Sequence, residues 1–499
     1  MDYVFTVFKI IIKEYNFHLN DKILIIILLS LMGCDYHNKN NECIVSEASQ
    51  LSVSYSNNLE FSKKLEKFNG CEELNTTAIQ IVNDHKNNWY YDMIDPPYCS
   101  GAAISNSENL NSDDNKNNLS FQESNVSELD LYQIKDNILI ISKGNGIELV
   151  NKNTLSPIQS LTFENIKNIK LFLNNDRLIA IGNINENNTQ GNLYQDNYNF
   201  KSYTIIKVFK VHPTHLQELY HNKILGELKV ARLLKTGQLT IITHKNLLSL
   251  QSSNINSNDE TSFSFPWSHN SDEFDQVNCN NYFKPIISNN ETSITNISTF
   301  DINNLNWQNK KAIFGSFDPI YITEKNINLF KYSYTKPLLP ENSSSNTAMV
   351  SLNLTDLEPV SPILTIKGNL NDRWSVKSLN NGKNIAIATS VRKKVSNPDD
   401  PNILFSMRDN EFTIYQTPKD TESDWTINSK ISNFAINEDI RSVRFLDNKA
   451  FIVTFRKTDP LFMIDLSNPN DAKIISQLKI PGFSTYLQPF KNNQLIGVG

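Results

Sequence analysis

Four short apolar strands packed into about 40 residues, repeated along most of the chain, predict an all-β fold: a β-propeller of four-stranded blades. Two further observations point the same way. From Leu129 onward, runs rich in Ile, Leu, Val, Phe and Tyr alternate with clusters of Asn, Asp, Gly and Lys, and no helical periodicity is sustained. The runs are short and the turns between them tight, the mark of many antiparallel strands.

The clearest unit runs from Ile440 to Ile480. Ile440-Phe445, Ala450-Phe455, Leu461-Leu466 and Lys473-Leu478 are its strands, with turns at Asp447-Asn448 and Ser467-Asn468-Pro469. Similar units fall at about 129–163, 167–224, 228–310, 311–366 and 372–434. A β-sandwich would not need six successive meanders. Two more strands, Ser484-Tyr486 and Gln494-Val498, start a further blade, so the expectation is about six complete blades plus a partial one. That incomplete sheet predicts self-association, aggregation, or completion by N-terminal strands around Leu129-Ile141. Gln251 to Asn290 and Ser333 to Asn346 read as long polar loops.

The propeller is expected over 126–499, after a small helical segment at 61–100 and a linker at 101–125 rich in Ser, Asn, Asp and Lys. Leu65, Phe68, Leu74, Ala78, Ile79 and Val82 recur mostly at three- and four-residue intervals. Gly70 is the expected break between two short helices. Before this, Ile23 to Leu31 is an apolar stretch of signal-peptide length, and Leu31-Met32-Gly33-Cys34-Asp35 ends it as a bacterial lipoprotein signal does. This makes 1–33 a signal peptide, 34–60 a polar tether, Cys34 the lipidation site and Asp35 a sorting residue for the inner membrane, facing the periplasm if the cell is Gram-negative. Glu14 and Asp21 in the long region ahead of the apolar run point to a start downstream of Met1.

Beyond Cys34 stand Cys43, Cys71, Cys99 and Cys279, an even number that predicts two disulfides, with three pairings open. With three of them near the N-terminus, full pairing must tie that region to the body through Cys279. No CxxC spacing suggests zinc. A net charge of -6, with both signs interspersed, argues against nucleic acid.

Residues 441 to 499 resemble a bacterial and archaeal family of secreted β-propeller proteins distantly related to WD40 repeats. The likeness rests on Arg441-Ser442-Val443-Arg444-Phe445, Val453-Thr454-Phe455-Arg456, Asp459-Pro460-Leu461, Ile464-Asp465-Leu466-Ser467-Asn468-Pro469 and Ile480-Pro481-Gly482-Phe483-Ser484-Thr485-Tyr486-Leu487. Weaker echoes stand at Cys71-Glu72-Glu73-Leu74, Gly226-Glu227, Ala231-Arg232, Ala312-Ile313-Phe314-Gly315 and Ile385-Ala386-Ile387-Ala388-Thr389. An acidic opening motif survives as Asn125-Val126-Ser127-Glu128-Leu129-Asp130, Gln488 replaces an expected His, and the family pattern runs on past Gly499. The resemblance implies a propeller in an extracytoplasmic setting and no particular activity.

Chemistry is sparsely signalled. The sequence has no GxSxG, HExxH, P-loop or GxGxxG. His212-Pro213-Thr214-His215, with Glu218 and His221, lacks the spacing of a metal helix and reads as a solvated loop. Asp465 reads as a turn acceptor, and Arg456 with Asp459 as an ion pair at a blade corner. The expectation is a lipid-anchored binding or scaffolding protein without cofactor, metal or catalytic residues, engaging an envelope protein or glycan. The alternatives are an extracytoplasmic peptide or glycan hydrolase with its site at the propeller axis, and a non-functional truncated family member.

Overall fold

The computed structural model describes residues 61–92, 122–123, 125–186, 201–247, 277–287, 291–334, 345–396, 404–455, 459–480, 486–490 and 494–498. Six sheets of four or more strands follow one another, at 132–162, 166–225, 227–314, 320–367, 376–432 and 439–480, and are called blades 1 to 6. Tyr486–Phe490 pairs with Gln494–Val498 as a two-stranded blade 7. The four-strand units read from the sequence coincide with these blades to within a few residues.

Blades 2 to 5 are buried on both faces, which is why their strands are continuous apolar runs and not alternating ones. In Arg177–Glu186 of blade 2, Leu178 and Ala180 pack toward blade 1 while Ile179 and Ile181 pack toward blade 3. The same division recurs down the chain. Ile242, Ile297, Leu329 and Val350 join blades 3 and 4. Phe330, Met349, Ile385 and Ile387 join blades 4 and 5, and Phe412, Ile414, Ile452 and Phe462 join blades 5 and 6.

A neutral latch repeats in blades 2, 3 and 4, where the third strand opens with Ser-x-Thr and a glycine follows the last strand. Gly226, Gly315 and Gly368 donate their N–H to the carbonyls of Ser202, Ser293 and Ser345 at 2.9, 2.7 and 2.7 Å. Their own carbonyls accept from the hydroxyls of Thr204, Thr295 and Thr347 at 2.8, 2.6 and 2.7 Å. These glycines have φ of 98°, 139° and 89°, a region that L side chains avoid. In blade 5, Asn410 takes over, its amide donating to the carbonyls of Phe434, Ala435 and Glu438 at 3.1 Å.

The N-terminal part differs from the expected pair of helices. One helix, α1 (Cys71–Asp92), starts after Gly70, with Glu72 and Glu73 in its first turn where the helix dipole favours carboxylates. Glu73 also accepts from the Asn69 N–H at 2.6 Å. Leu74, Ala78, Ile81 and Val82 form its buried face against Tyr282 and Phe314. Residues 61–70 are extended instead, bridging Phe61 to Ile287 and Lys67 to Phe283. Leu65 and Phe68 mimic helical spacing by chance: each packs a different core, Leu65 that of blades 3 and 4 and Phe68 that of α1. This strap crosses three blades, since Lys67 pairs with Glu358 of blade 4 at 2.7 Å and Lys64 with Glu422 of blade 5 at 2.5 Å. The Cys71–Cys279 disulfide, with Cα atoms 5.1 Å apart, ties α1 to blade 3. Cys43 and Cys99 lie outside the described residues.

Part of the expected loop at Gln251 to Asn290 is ordered structure: Tyr282–Phe283 adds to the outer edge of blade 3, parallel to residues 312–313. The N-terminal strands do not complete blade 7. Val126–Glu128 pairs with Glu227–Leu234, and Tyr132–Lys135 pairs with Ile138–Ser142.

Candidate functional site

First strands of blades 2 to 5 meet residues 122–123 and 126–130, which places these residues at the propeller axis. Asp130 bridges Leu171 of blade 2, and Val126–Glu128 runs antiparallel to Glu227–Leu234 of blade 3 with Glu128 opposite Arg232. Glu123 reaches Tyr321 of blade 4, and Lys377 of blade 5 at 2.9 Å. The amide of Gln122 donates to the Arg373 and Val376 carbonyls at 2.5 and 3.1 Å. The end of the expected linker is therefore part of the fold's centre.

Glu128 is 8% exposed and is met by two guanidinium groups. Arg373 grips both of its oxygens, Nη1 on Oε1 and Nη2 on Oε2 at 2.7 Å, while Arg232 stands 3.6 Å away. A planar fork on a carboxylate gives direction as well as charge. Burial pushes the Glu128 carboxyl up, but Arg232 and Arg373 outweigh it and hold it below the usual carboxylate range. Burial lowers Arg232 to about 10, with Glu128 opposing the shift and Arg373 adding to it.

Arg373 lies in a 3-10 turn, Arg373–Ser375, capped by Asp372, which accepts from the Trp374 N–H at 2.9 Å. The indole of Trp374 is flanked by two cations, Arg444 at 3.6 Å and Arg373 at 4.6 Å from the ring centre. Burial raises the Asp372 carboxyl despite Arg444 and Arg373 nearby. Tyr321 is fully buried; burial, with Glu123 beside it, drives its hydroxyl well above the ordinary phenol value. It donates to Glu123 and accepts from the Ser378 N–H at 2.8 Å. Chemically the arrangement grips two acidic side chains on either side of a turn: the Val126 N–H bonds back to the Glu123 carbonyl at 3.2 Å, strand pairing holds Val126–Glu128, and cationic side chains meet both Glu123 and Glu128.

The residues singled out from sequence fall elsewhere, apart from the acidic motif. Cys34, Asp35 and Arg456 lie outside the described residues. The rings of His212 and His215 stack at 4.6 Å, and His221 Nδ1 meets Glu218 Oε1 at 2.7 Å, on the outer hairpin of blade 2. Asp465 accepts from the Ser467 N–H at 3.0 Å and its hydroxyl at 2.7 Å, as a turn acceptor does. Of the axial groups, Glu128 stands in the surviving acidic motif, and Arg232 and Arg444 in stretches that carry the family resemblance. Arg373, Trp374, Lys377 and Tyr321 were not anticipated. The signal that could have found them is their position at the opening of a blade's first strand.

Residues 118–499 match the family described as "Beta propeller domain", and the chain belongs to that family. An uncharacterized protein of Methanocaldococcus jannaschii is 49% identical over 78 residues, 16% of this chain and 12% of its own length. One from Archaeoglobus fulgidus is 54% identical over 70 residues, 14% of this chain. The matches thus span only 12% and 11% of the two archaeal relatives. Among solved structures, a eukaryotic initiation factor aligns at 10% identity with TM-score 0.35, covering 70% of this chain and 64% of that one. Hydrazine synthase of Kuenenia stuttgartiensis aligns at 10% identity with TM-score 0.29, covering 66% and 74%.

Proposed function

We propose that this chain is a partner-binding propeller of the cell envelope, anchored by lipid on Cys34, and that its blades are distant kin of WD40 repeats. The observation carrying the binding reading is the axial cradle, where Glu123 and Glu128 of one segment are held by side chains from blades 3, 4 and 5. Two more observations support the setting. The apolar run Ile23 to Leu31 ending at Gly33-Cys34 has the layout of a lipoprotein signal. The Cys71–Cys279 bond joins cysteines 208 residues apart, and such bonds persist where the compartment is oxidising. Asp35 directs the anchor to the inner membrane of a Gram-negative host. Its partner is a protein or glycan of the envelope.

Metabolic labelling with an alkyne fatty acid tests the anchor: the chain takes up label, and Cys34→Ala abolishes it. Chemical crosslinking in intact envelopes, followed by mass spectrometry, tests the binding. A reproducible partner crosslinked through residues near the axis is expected. An unlabelled chain sinks the anchor, and crosslinks confined to the chain itself sink the binding role.

A further inference from the structure

We infer that Lys311 and Asn281 close into a side-chain amide, an internal covalent tie in blade 3 for which Glu358 of blade 4 accepts the proton. It stands apart from both the lipid anchor and the axial cluster.

Backbone geometry brings the two reacting groups together. Lys311 lies on the last strand of blade 3, Asn306–Phe314, and Asn281 ends the 3-10 turn Cys279–Asn281. Tyr282–Phe283 runs parallel to that strand, with Tyr282 opposite Ala312 and Phe283 opposite Ile313, so Asn281 comes level with Lys311. Side chains level with each other across a ladder share a face. The turn is held at both ends: Cys279 is bonded to Cys71, and Tyr282–Phe283 is paired to the strand. Groups kept in contact in this way meet at an effective concentration orders of magnitude above that in free solution.

A third group joins them. Lys311 Nζ donates to Asn281 Oδ1 at 3.2 Å and to Glu358 Oε1 at 2.7 Å. Lys311 is 8% exposed, so its amine is largely screened from solvent. Lys67 of the 61–70 strap meets the same Glu358 oxygen at 2.7 Å. Burial pushes the Glu358 carboxyl up, but Lys311 and Lys67 outweigh it and keep it ionised, the form that takes up a proton.

An amine, a primary carboxamide and a carboxylate in contact are what an amide exchange needs. Glu358 takes one proton from the Lys311 ammonium, and the freed Nζ attacks Asn281 Cγ. The adduct passes a proton from Nζ to Nδ2, and the Cγ–Nδ2 bond breaks. Ammonia leaves with the proton that Glu358 held, as ammonium, and the carboxylate is restored. One C–N bond replaces another, and nothing is oxidised or reduced. A carboxylate held this low is a weak base, so the step is slow, but each chain needs it once. The tie spans 30 residues beside the Cys71–Cys279 bond, on the edge of blade 3 that carries α1 and the strap. Unlike the disulfide, it survives reduction.

The test incubates the folded full chain at neutral pH, then reduces, denatures and digests it for peptide mapping by mass spectrometry. The expected product is a branched peptide joining the segments around 281 and 311, lighter than the two linear peptides together by one ammonia. Asn281→Ala and Lys311→Arg are expected to abolish it, and Glu358→Gln to lower its yield by at least about tenfold over the same incubation. Recovery of only the two linear peptides from the unaltered chain overturns the inference, and that reading does not depend on any variant folding. An undiminished branched peptide from folded Glu358→Gln chain overturns the assignment of the proton acceptor.

Discussion

The latches of blades 2 to 4 and the axial cluster hold the same ring with opposite chemistry. Each latch uses a Thr hydroxyl, a Ser carbonyl and a glycine, is uncharged, and recurs with the blades. The axial cluster uses arginines, carboxylates and a tryptophan, and occurs once among the described residues. Repeated neutral bonds fit a task blades 2 to 4 share, tying the residue after each last strand to the start of its third strand. A single charged cluster where several blades meet breaks the repeat, and a selective hold on one segment needs such a break. Buried ion pairs are also weak sources of stability relative to apolar packing but strong sources of register.

Arg373→Ala tests the axial side and carries the largest expected effect. It leaves Glu128 buried without its bidentate partner, Arg232 being the remaining cation at 3.6 Å, and should cost about 3–5 kcal/mol in denaturant unfolding. A loss below about 1 kcal/mol would put the cluster on a par with surface pairs and erase the contrast. Acid titration separates Glu128 from Asp372. The folded-state pKa of Glu128 is depressed, so its contribution is present above the unfolded value and fades as pH falls below 4.5 through the folded one. Asp372 is raised from 3.8, so protonation there favours the folded chain as pH falls. Glu128→Gln should therefore flatten the acid loss of stability and Asp372→Asn should steepen it. Identical acid profiles for the two variants would refute the assignment.

The disulfide comes next. Replacing both Cys71 and Cys279 with Ser opens a cross-link spanning 208 residues and should lower stability by about 2–4 kcal/mol. Hydrogen exchange should locate the change in α1 and the 61–70 strap, with the axial segment unaffected. Acceleration at Val126–Glu128 instead would mean that strap and axis form one cooperative unit.

The latches predict smaller and more uniform losses. Thr204→Val, Thr295→Val and Thr347→Val each remove one buried donor while keeping shape, and each should cost about 1–2 kcal/mol. Near-equal values at three sites would match three copies of one device. A threefold spread would show that local packing, not the repeat, sets their strength.

The blades were legible because strand spacing and turn chemistry are local. The unit at 440–480 came out almost to the residue, as 439–480. The latches were not read, because Ser-x-Thr also stands at 160–162 and 333–335, outside any latch, and the glycine that completes each latch lies 20 to 22 residues beyond its threonine. The helix showed through Leu74, Ala78 and Val82, but Leu65 and Phe68 fell in helical register by coincidence and drew the boundary too early. The axial site was the least legible. Glu128 and Arg373 are 245 residues apart, and nothing in either neighbourhood announces the other. Only the packing of successive blades brings these residues together, so charge at blade openings was the one available clue.

A second repeated device gives the smallest and most discriminating prediction. Asn151, Asp301, Asn353 and Asp465 end third strands, and each side chain accepts the N–H two residues on, at 2.9, 2.8, 2.7 and 3.0 Å. In the first three, the fourth residue after the acceptor is a leucine at positive φ: Leu155 at 55°, Leu305 at 56° and Leu357 at 59°. A β-carbon in this conformation costs about 1–2 kcal/mol, which glycine or asparagine largely avoids. Leu155 is 57% exposed and has little packing to lose, so Leu155→Asn should stabilise the chain by about 0.5–1 kcal/mol. Leu357 is fully buried in the core of blades 3 and 4, so the same change there should reverse the sign. If Leu155→Asn destabilises, its exposed side chain is covered in solution, and blade 1 rather than the axis becomes the surface on which to look for a partner.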